Sequence, residues 1–126
     1  MIKPNILVVE DDNDTQKFLK LFLRRKFEVE VCNSDITFYE LINNKKFNLI
    51  IMDISINGRK NGLQLTEEIK SSEKFKDIPI ICLSAHIFDK DRRKAYLAGA
   101  DVFLAKPVSN ELLLQAINSY IKPDQE

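Results

Sequence analysis

No charge of one sign predominates in this sequence. Nineteen Lys and Arg residues stand against nineteen Asp and Glu, so net charge supplies no pull toward nucleic acid or an anionic membrane surface. Long hydrophobic runs are also missing, and the apolar stretches fall far short of the ~20 residues of a membrane helix. The opening MIKPNI lacks the apolar core of a secretory signal. Cysteine is scarce. Cys32 and Cys82 form neither a CxxC nor a Cys/His metal pattern, which excludes a zinc site. They read as buried thiols in a reducing cytoplasm rather than as a disulfide. Internal linkers and low-complexity segments are absent. What remains, 44% apolar and 30% charged over 126 residues, is ordinary for one domain, here 1–126, with a single substantial core.

What is present is an alternation. Short β-rich runs occur at ILVVE (6–10), FEVEVC (27–32), FNLIIMD (47–53), IPIICLS (78–84) and DVFLAK (101–106). Segments of helical length lie between them, and SNELLLQAINSYI follows the last. Phe18, Leu19, Phe22 and Leu23 recur at helical spacing and predict a two-wide buried stripe. Leu112, Leu113, Ala116, Ile117 and Tyr120 do the same behind a capping Ser109. Five β-α units in strict order predict an α/β fold, a doubly wound parallel sheet with helices on both faces. Runs one, three and four suit central strands buried on both sides, and the alternating FEVEVC suits an edge.

The stretch NILVVEDDND (5–14) poses the chemical question. A buried strand has no packing reason to end in Glu10, Asp11, Asp12 and Asp14, because two unit charges 4 Å apart repel by about 4 kcal/mol at an effective dielectric near 20. Doubly wound sheets bind ligands outside the carboxyl ends of their strands. Those ends are Glu10 and Asp11, Asp53, Ser84 and Lys106. Three carboxylates in one crevice need a cation, and Mg²⁺ fits a set of oxygen ligands. Each residue has a plainer reading. Asp12 and Asp14 are best taken as helix N-terminal residues favoured by the dipole. Ser84 alone could be a cap, Lys106 alone surface charge, and Phe103 reads equally as core packing. The single histidine, His86, reads as a site-rim residue because no partner for a base or a ligand is apparent.

ILVVEDD, LIIMDIS, IPIICLSAH and AGADVFLAKP stand in order along the chain. With them the sequence resembles the receiver domains of bacterial two-component response regulators over nearly all of its length. The resemblance implies a flavodoxin-like (βα)5 sandwich of strand order 2-1-3-4-5. It also implies that Asp53 is the phosphoacceptor and that Glu10, Asp11, Asp53 and the Ser55 backbone carbonyl hold Mg²⁺. Glu10, one methylene longer than aspartate, can act through a metal-bound water. Ser84 would contact the phosphoryl group through its hydroxyl and Lys106 through a salt bridge. Phe103 would be the switch aromatic, Ser55 and His86 would tune phosphoryl lifetime, and the Lys106–Pro107 bond would be cis.

An aspartyl carboxylate can attack a phosphoryl group, and catalysis there is mainly positioning and charge compensation. The expected partners are a histidine kinase or histidine phosphotransfer protein and a downstream protein target. The donor would dock along the first helix, where Leu21 faces outward. No direct nucleic-acid or membrane contact is expected, and the state is monomer or weak phosphorylation-dependent dimer. With only KPDQE after the last helix, output is expected to run through protein contacts on helix four, strand five and helix five, unless the chain is a receiver excised from a longer one. DISINGRKNGLQL departs from the family pattern: Ile56-Asn57 replaces Met-Pro, Gly62 lies nine residues past Asp53, and the loop carries Arg59 and Lys60 toward the site's rim. An aspartyl-phosphate hydrolase is the rival, but EDDND opens no DxD motif and there is no length for a cap. A phosphorylation-independent binding module is the third reading, opposed by the intact acidic set.

Overall fold

Short β-branched runs and amphipathic segments alternate in the computed structural model as strictly as they do in the sequence. The structure describes residues 3–56, 58–85 and 88–121. The order is β1 (Asn5–Val9), α1 (Asn13–Leu23), β2 (Glu28–Cys32), α2 (Asp35–Asn44), β3 (Leu49–Asp53), α3 (Gly62–Lys70), β4 (Ile80–Ser84), α4 (Asp89–Leu97), β5 (Val102–Ala105) and α5 (Asn110–Tyr120). All pairings are parallel and the sheet order is β2-β1-β3-β4-β5. This is the flavodoxin-like order, with the winding direction reversing between β1 and β3. Strands β3 and β4 are buried at every residue, and β1 from Ile6 on, as expected for central strands of a covered parallel sheet. β2 and β5 form the edges.

Side-chain alternation along the strands sorts the core into two layers. Leu7, Val9, Ile50, Met52, Ile80 and Cys82 point to the side covered by α2, α3 and α4, where they meet Phe38, Ile42, Leu65, Ile69 and Ala95. Ile6, Val8, Leu49, Ile51, Ile81 and Leu83 point to the side covered by α1 and α5, against Leu19, Leu23, Leu113 and Ile117. Both cysteines are free and buried. Burial pushes the Cys32 thiol up to about 12 and the Cys82 thiol up to about 11, so neither is a ready nucleophile.

The helices begin where capping chemistry allows. Asp12 accepts from the Thr15 N–H at 2.9 Å and caps α1, Ser34 caps α2, and Ser109 caps α5. Asn61 and Gln64 form a reciprocal capping box on α3. Two amphipathic stripes are narrower than the spacing predicts. In α1, Leu19 and Leu23 are buried, whereas Phe18 is 49% exposed and lies stacked on Phe22 with ring centroids 6.1 Å apart. In α5, Leu113 and Ile117 are buried while Leu112 and Tyr120 are exposed. Each helix lies over the sheet along one i, i+4 line, and the flanking apolar positions overhang it.

Candidate functional site

The winding reversal opens the sheet between the carboxyl ends of β1 and β3, and the acidic residues lie there. Glu10 follows β1 directly, and its N–H donates to the Cys32 carbonyl at 2.9 Å, prolonging the β1–β2 pairing by one residue. The glutamate is 1% exposed. Its Oε2 accepts from the Asp12 N–H at 3.1 Å, and the Gln16 side-chain amide donates to its backbone carbonyl. Asp53 closes β3 and is 2% exposed. Its Oδ1 accepts from both the backbone N–H and the hydroxyl of Ser55, at 3.0 and 2.9 Å. Lys106, past the end of β5, places Nζ 2.9 Å from Glu10 Oε1 and 3.1 Å from Asp53 Oδ2. The Lys106–Pro107 peptide bond is cis, as the resemblance implies.

The charges are arranged unequally. Burial is the largest influence on Glu10 and pushes its carboxyl up; Lys106 opposes this, and the neighbouring Asp53 adds to it. Burial also pushes Asp53 up, but the Ser55 N–H, a Glu10 hydrogen bond and Lys106 together bring it below the usual carboxylate value. For Lys106 burial works against the charge and the two carboxylates outweigh it, leaving the ammonium raised. The two carboxyls are thus shifted in opposite directions.

Glu10, Asp11 and Asp53 each offer a carboxylate oxygen within 4.8 Å of the others. An all-oxygen set of this size suits a hard divalent cation such as Mg²⁺. Ser84, the last residue of β4, is 3% exposed and shares a small cavity with Ile54, Ser55, Leu63 and Asp91. Phe103 is 3% exposed and belongs to the core layer beneath α4. His86 lies outside the described residues, as does Asn57 of the β3–α3 loop.

The loop departs from expectation at Lys60. Instead of lining the site's rim, its ammonium pairs with Glu68 of α3 at 2.6 Å and lies 5.6 Å from the Tyr39 ring centre of α2. In the same loop Gly58 adopts φ +141°, and a Cβ there would meet the Asp35 carboxylate. Gly62 serves the site more directly. Its N–H donates to the Ile54 carbonyl at 3.0 Å, and a Cβ there would fall 2.3 Å from the Asp53 carbonyl oxygen. Only glycine lets α3 start so close to the strand that carries Asp53. Sequence reasoning did not single out Gln16 or Asp91. Gln16 stands four residues past Asp12, a spacing that returns the helix to the same face.

A parallel five-stranded sheet with acidic residues gathered at its winding reversal defines the class of flavodoxin-like α/β domains. Within that class the chain belongs to the response regulator receiver family of two-component signalling: the profile for the response regulator receiver domain matches residues 6–118. A probable transcriptional regulator, ycf29 of Porphyra purpurea, is 34% identical over 121 residues, covering 95% of this chain and 57% of that protein. The polar-differentiation response regulator DivK of Brucella ovis is 26% identical over 118 residues, covering 93% of this chain and 95% of that protein. Among solved structures, the receiver domain of a sensor histidine kinase from Pseudomonas aeruginosa PAO1, with magnesium coordinated in its active-site cleft, matches with a TM-score of 0.84. It is 27% identical, covering 94% of this chain and 97% of that one. The chain spans about half the length of several curated relatives. No helix among the described residues is long and apolar enough to cross a membrane.

Proposed function

We propose that this receiver is a Mg²⁺-dependent phosphoacceptor switch in which Asp53 takes a phosphoryl group from a phosphohistidine on a histidine kinase or histidine phosphotransfer protein. The observation that carries the reading is Asp53 itself, a buried carboxylate with Lys106 Nζ 3.1 Å from Oδ2 and two further carboxylates at hand. An Asp53 oxygen forms a bond to phosphorus as the bond from phosphorus to the donor's imidazole nitrogen breaks. That nitrogen keeps the electron pair and takes up a proton. Glu10 and Asp11, with Asp53 and the Ser55 carbonyl, would hold Mg²⁺, which when bound offsets the charge of the phosphoryl oxygens. Lys106 then turns from the free carboxylates to a phosphoryl oxygen. Ser84 donates its hydroxyl to another, and the gathering of these groups draws on Phe103 and the α4–β5–α5 surface. In hydrolysis a water attacks phosphorus and the Asp53–phosphorus bond breaks, releasing phosphate. Ser55 and His86 are the residues assigned to setting its rate. The domain thus catalyses its own modification and its reversal.

The donor docks beside the site along α1. Phe18 and Leu21 are 49% and 56% exposed there, and Phe18 shares a groove with Lys106, Pro107 and Val108. A reducing cytoplasm suits the two protonated thiols. The test is direct. Acetyl phosphate with Mg²⁺ should label Asp53 stoichiometrically, and Asp53→Asn or EDTA should abolish the label. Mass spectrometry placing the phosphoryl group on Asp11 or Asp12, or labelling that survives EDTA, would overturn the assignment.

A further inference from the structure

The far end of the sheet carries a second cleft. Phe47 leads into β3, and Phe75 and Ile78 lead into β4, so the cavity they line opens at the amino ends of the strands, away from Asp53. Its volume is about 510 Å³, within the usual range of ligand pockets. Both walls are tied in place. Lys70 Nζ donates to the Ile78 carbonyl at 2.8 Å and to the Lys76 carbonyl at 3.3 Å, and pairs with Asp101 at 2.8 Å. These bonds fix the segment between α3 and β4. Across from it, the Asn5 side chain donates to the Lys46 carbonyl at 3.2 Å, and Asn48 Oδ1 accepts the Asn5 N–H at 2.8 Å. They fix the segment between α2 and β3.

The chain as a whole is electrically balanced, but this cleft is not. Lys45, Lys46 and Lys74 line it, and among the described residues no aspartate or glutamate does. Lys45 pairs with Glu30 at 3.1 Å, and the neighbouring Glu73 is taken by Lys76 at 3.1 Å. Lys46 and Lys74 make no ion pair among the described residues. Two of the ammonium groups lie at rings of the apolar floor, Lys45 Nζ 6.0 Å from the Phe47 centre and Lys74 Nζ 5.2 Å from the Phe75 centre. A cleft of one charge sign with low-dielectric walls focuses its field on whatever enters.

We propose that this cleft docks an acidic protein segment, which sets one large apolar side chain against Phe47 and Phe75 and its carboxylates against Lys45, Lys46 and Lys74. The floor decides against a small inorganic anion, which would leave Phe47, Phe75 and Ile78 uncovered. The number of cations decides against nucleic acid, because three lysines neutralise too few phosphates to hold it at physiological salt. A segment that is both anionic and apolar satisfies floor and rim together. The walls are fixed before it arrives, so little ordering cost falls on this domain. Docking here leaves the crevice at Asp53, at the opposite end of the sheet, open.

The test uses the whole chain without metal or phosphodonor, so its outcome is independent of the role of Asp53. The probes are acetylated pentapeptide amides, four acidic residues around a central Phe, Leu or Ser, titrated while backbone amide shifts are followed by NMR. The Phe and Leu peptides should shift the amides of residues 45–48 and 74–78. They should bind roughly ten-fold more tightly than the Ser peptide, the factor that burial of one large apolar side chain supplies. Lys46 and Lys74 are exposed, so their reversal leaves the core untouched. Lys46→Glu/Lys74→Glu should weaken the Phe peptide by roughly ten-fold or more. No saturable binding at millimolar peptide overturns the proposal. Shifts centred instead on other lysines, such as Lys17 and Lys20 of α1, equal affinity for the Ser peptide, or unchanged affinity in the double variant do the same. Tighter binding of a thymidine oligonucleotide at the same amides would make the cleft a nucleic-acid site and overturn the proposal as well.

Discussion

Replacing Lys106 by Met removes a cation placed between two buried carboxylates. The Lys106 side chain is 23% exposed, against 2% and 3% for Glu10 and Asp53. At 2.9 and 3.1 Å and an effective dielectric of 20, each contact is worth about 5 kcal/mol of gross Coulomb attraction. Much of that offsets desolvation, and the partly wet ammonium is screened. Removal of one partner from a buried pair typically costs about 3–5 kcal/mol, and the exposure of Lys106 sets the expectation at the lower end, about 3 kcal/mol. For a chain of this length each kcal/mol moves Tm by roughly 4 °C, so thermal unfolding in EDTA at pH 7.5 should fall by about 12 °C. The double variant Lys106→Met/Asp53→Asn should recover most of the loss, because the like charge left behind is gone. Mg²⁺ should raise the Tm of Lys106→Met more than that of the unsubstituted protein, since the ion supplies the missing positive charge. A single variant as stable as the unsubstituted protein in EDTA would refute this account of the cluster.

Glu10→Gln should act in the opposite direction. The folded-state carboxyl is raised above its ordinary value of 4.5, so the native state holds its proton longer than the unfolded chain does. Stability is then lost as pH rises from about 4.5 through the folded value and stays lost above it. Glutamine should remove that slope while weakening Mg²⁺ binding; urea titrations across pH 4–8, without and with Mg²⁺, read both. Gly62→Ala should destabilise by about 1–3 kcal/mol and slow labelling by acetyl phosphate, because its Cβ meets the Asp53 carbonyl oxygen; normal labelling kinetics would contradict the close approach. Leu21→Glu on α1 should slow transfer from the cognate phosphodonor at least several-fold and leave acetyl phosphate labelling unchanged. His86→Ala should change autodephosphorylation several-fold with Mg²⁺ affinity nearly constant, followed as phosphate release between pH 6 and 8.

The sequence by itself determined the architecture and which carboxylates gather at one end of the sheet. Periodicity of two in the strands and near 3.6 in the helices is a local property, so five β-α units and two buried faces could be read from residue spacing. Glu10, Asp53 and Ser84 could be placed at one end of the sheet because parallel strands all end on the same side. Tertiary structure decided what spacing does not contain. Phe18 and Leu112 carry the apolar character of core residues, yet their exposure depends on where each helix axis lies over the sheet. Lys60 could have faced the crevice or α2, and the position of Glu68 beside Tyr39 drew it away. The opposite shifts of Glu10 and Asp53 depend on groups from three separate segments, Asp12, Ser55 and Lys106. The contacts of Arg92 and Tyr96 with Phe103 need α4 and β5 side by side. Electrostatic balance and edge protection are sums over residues distant in sequence, and only the folded chain performs those sums.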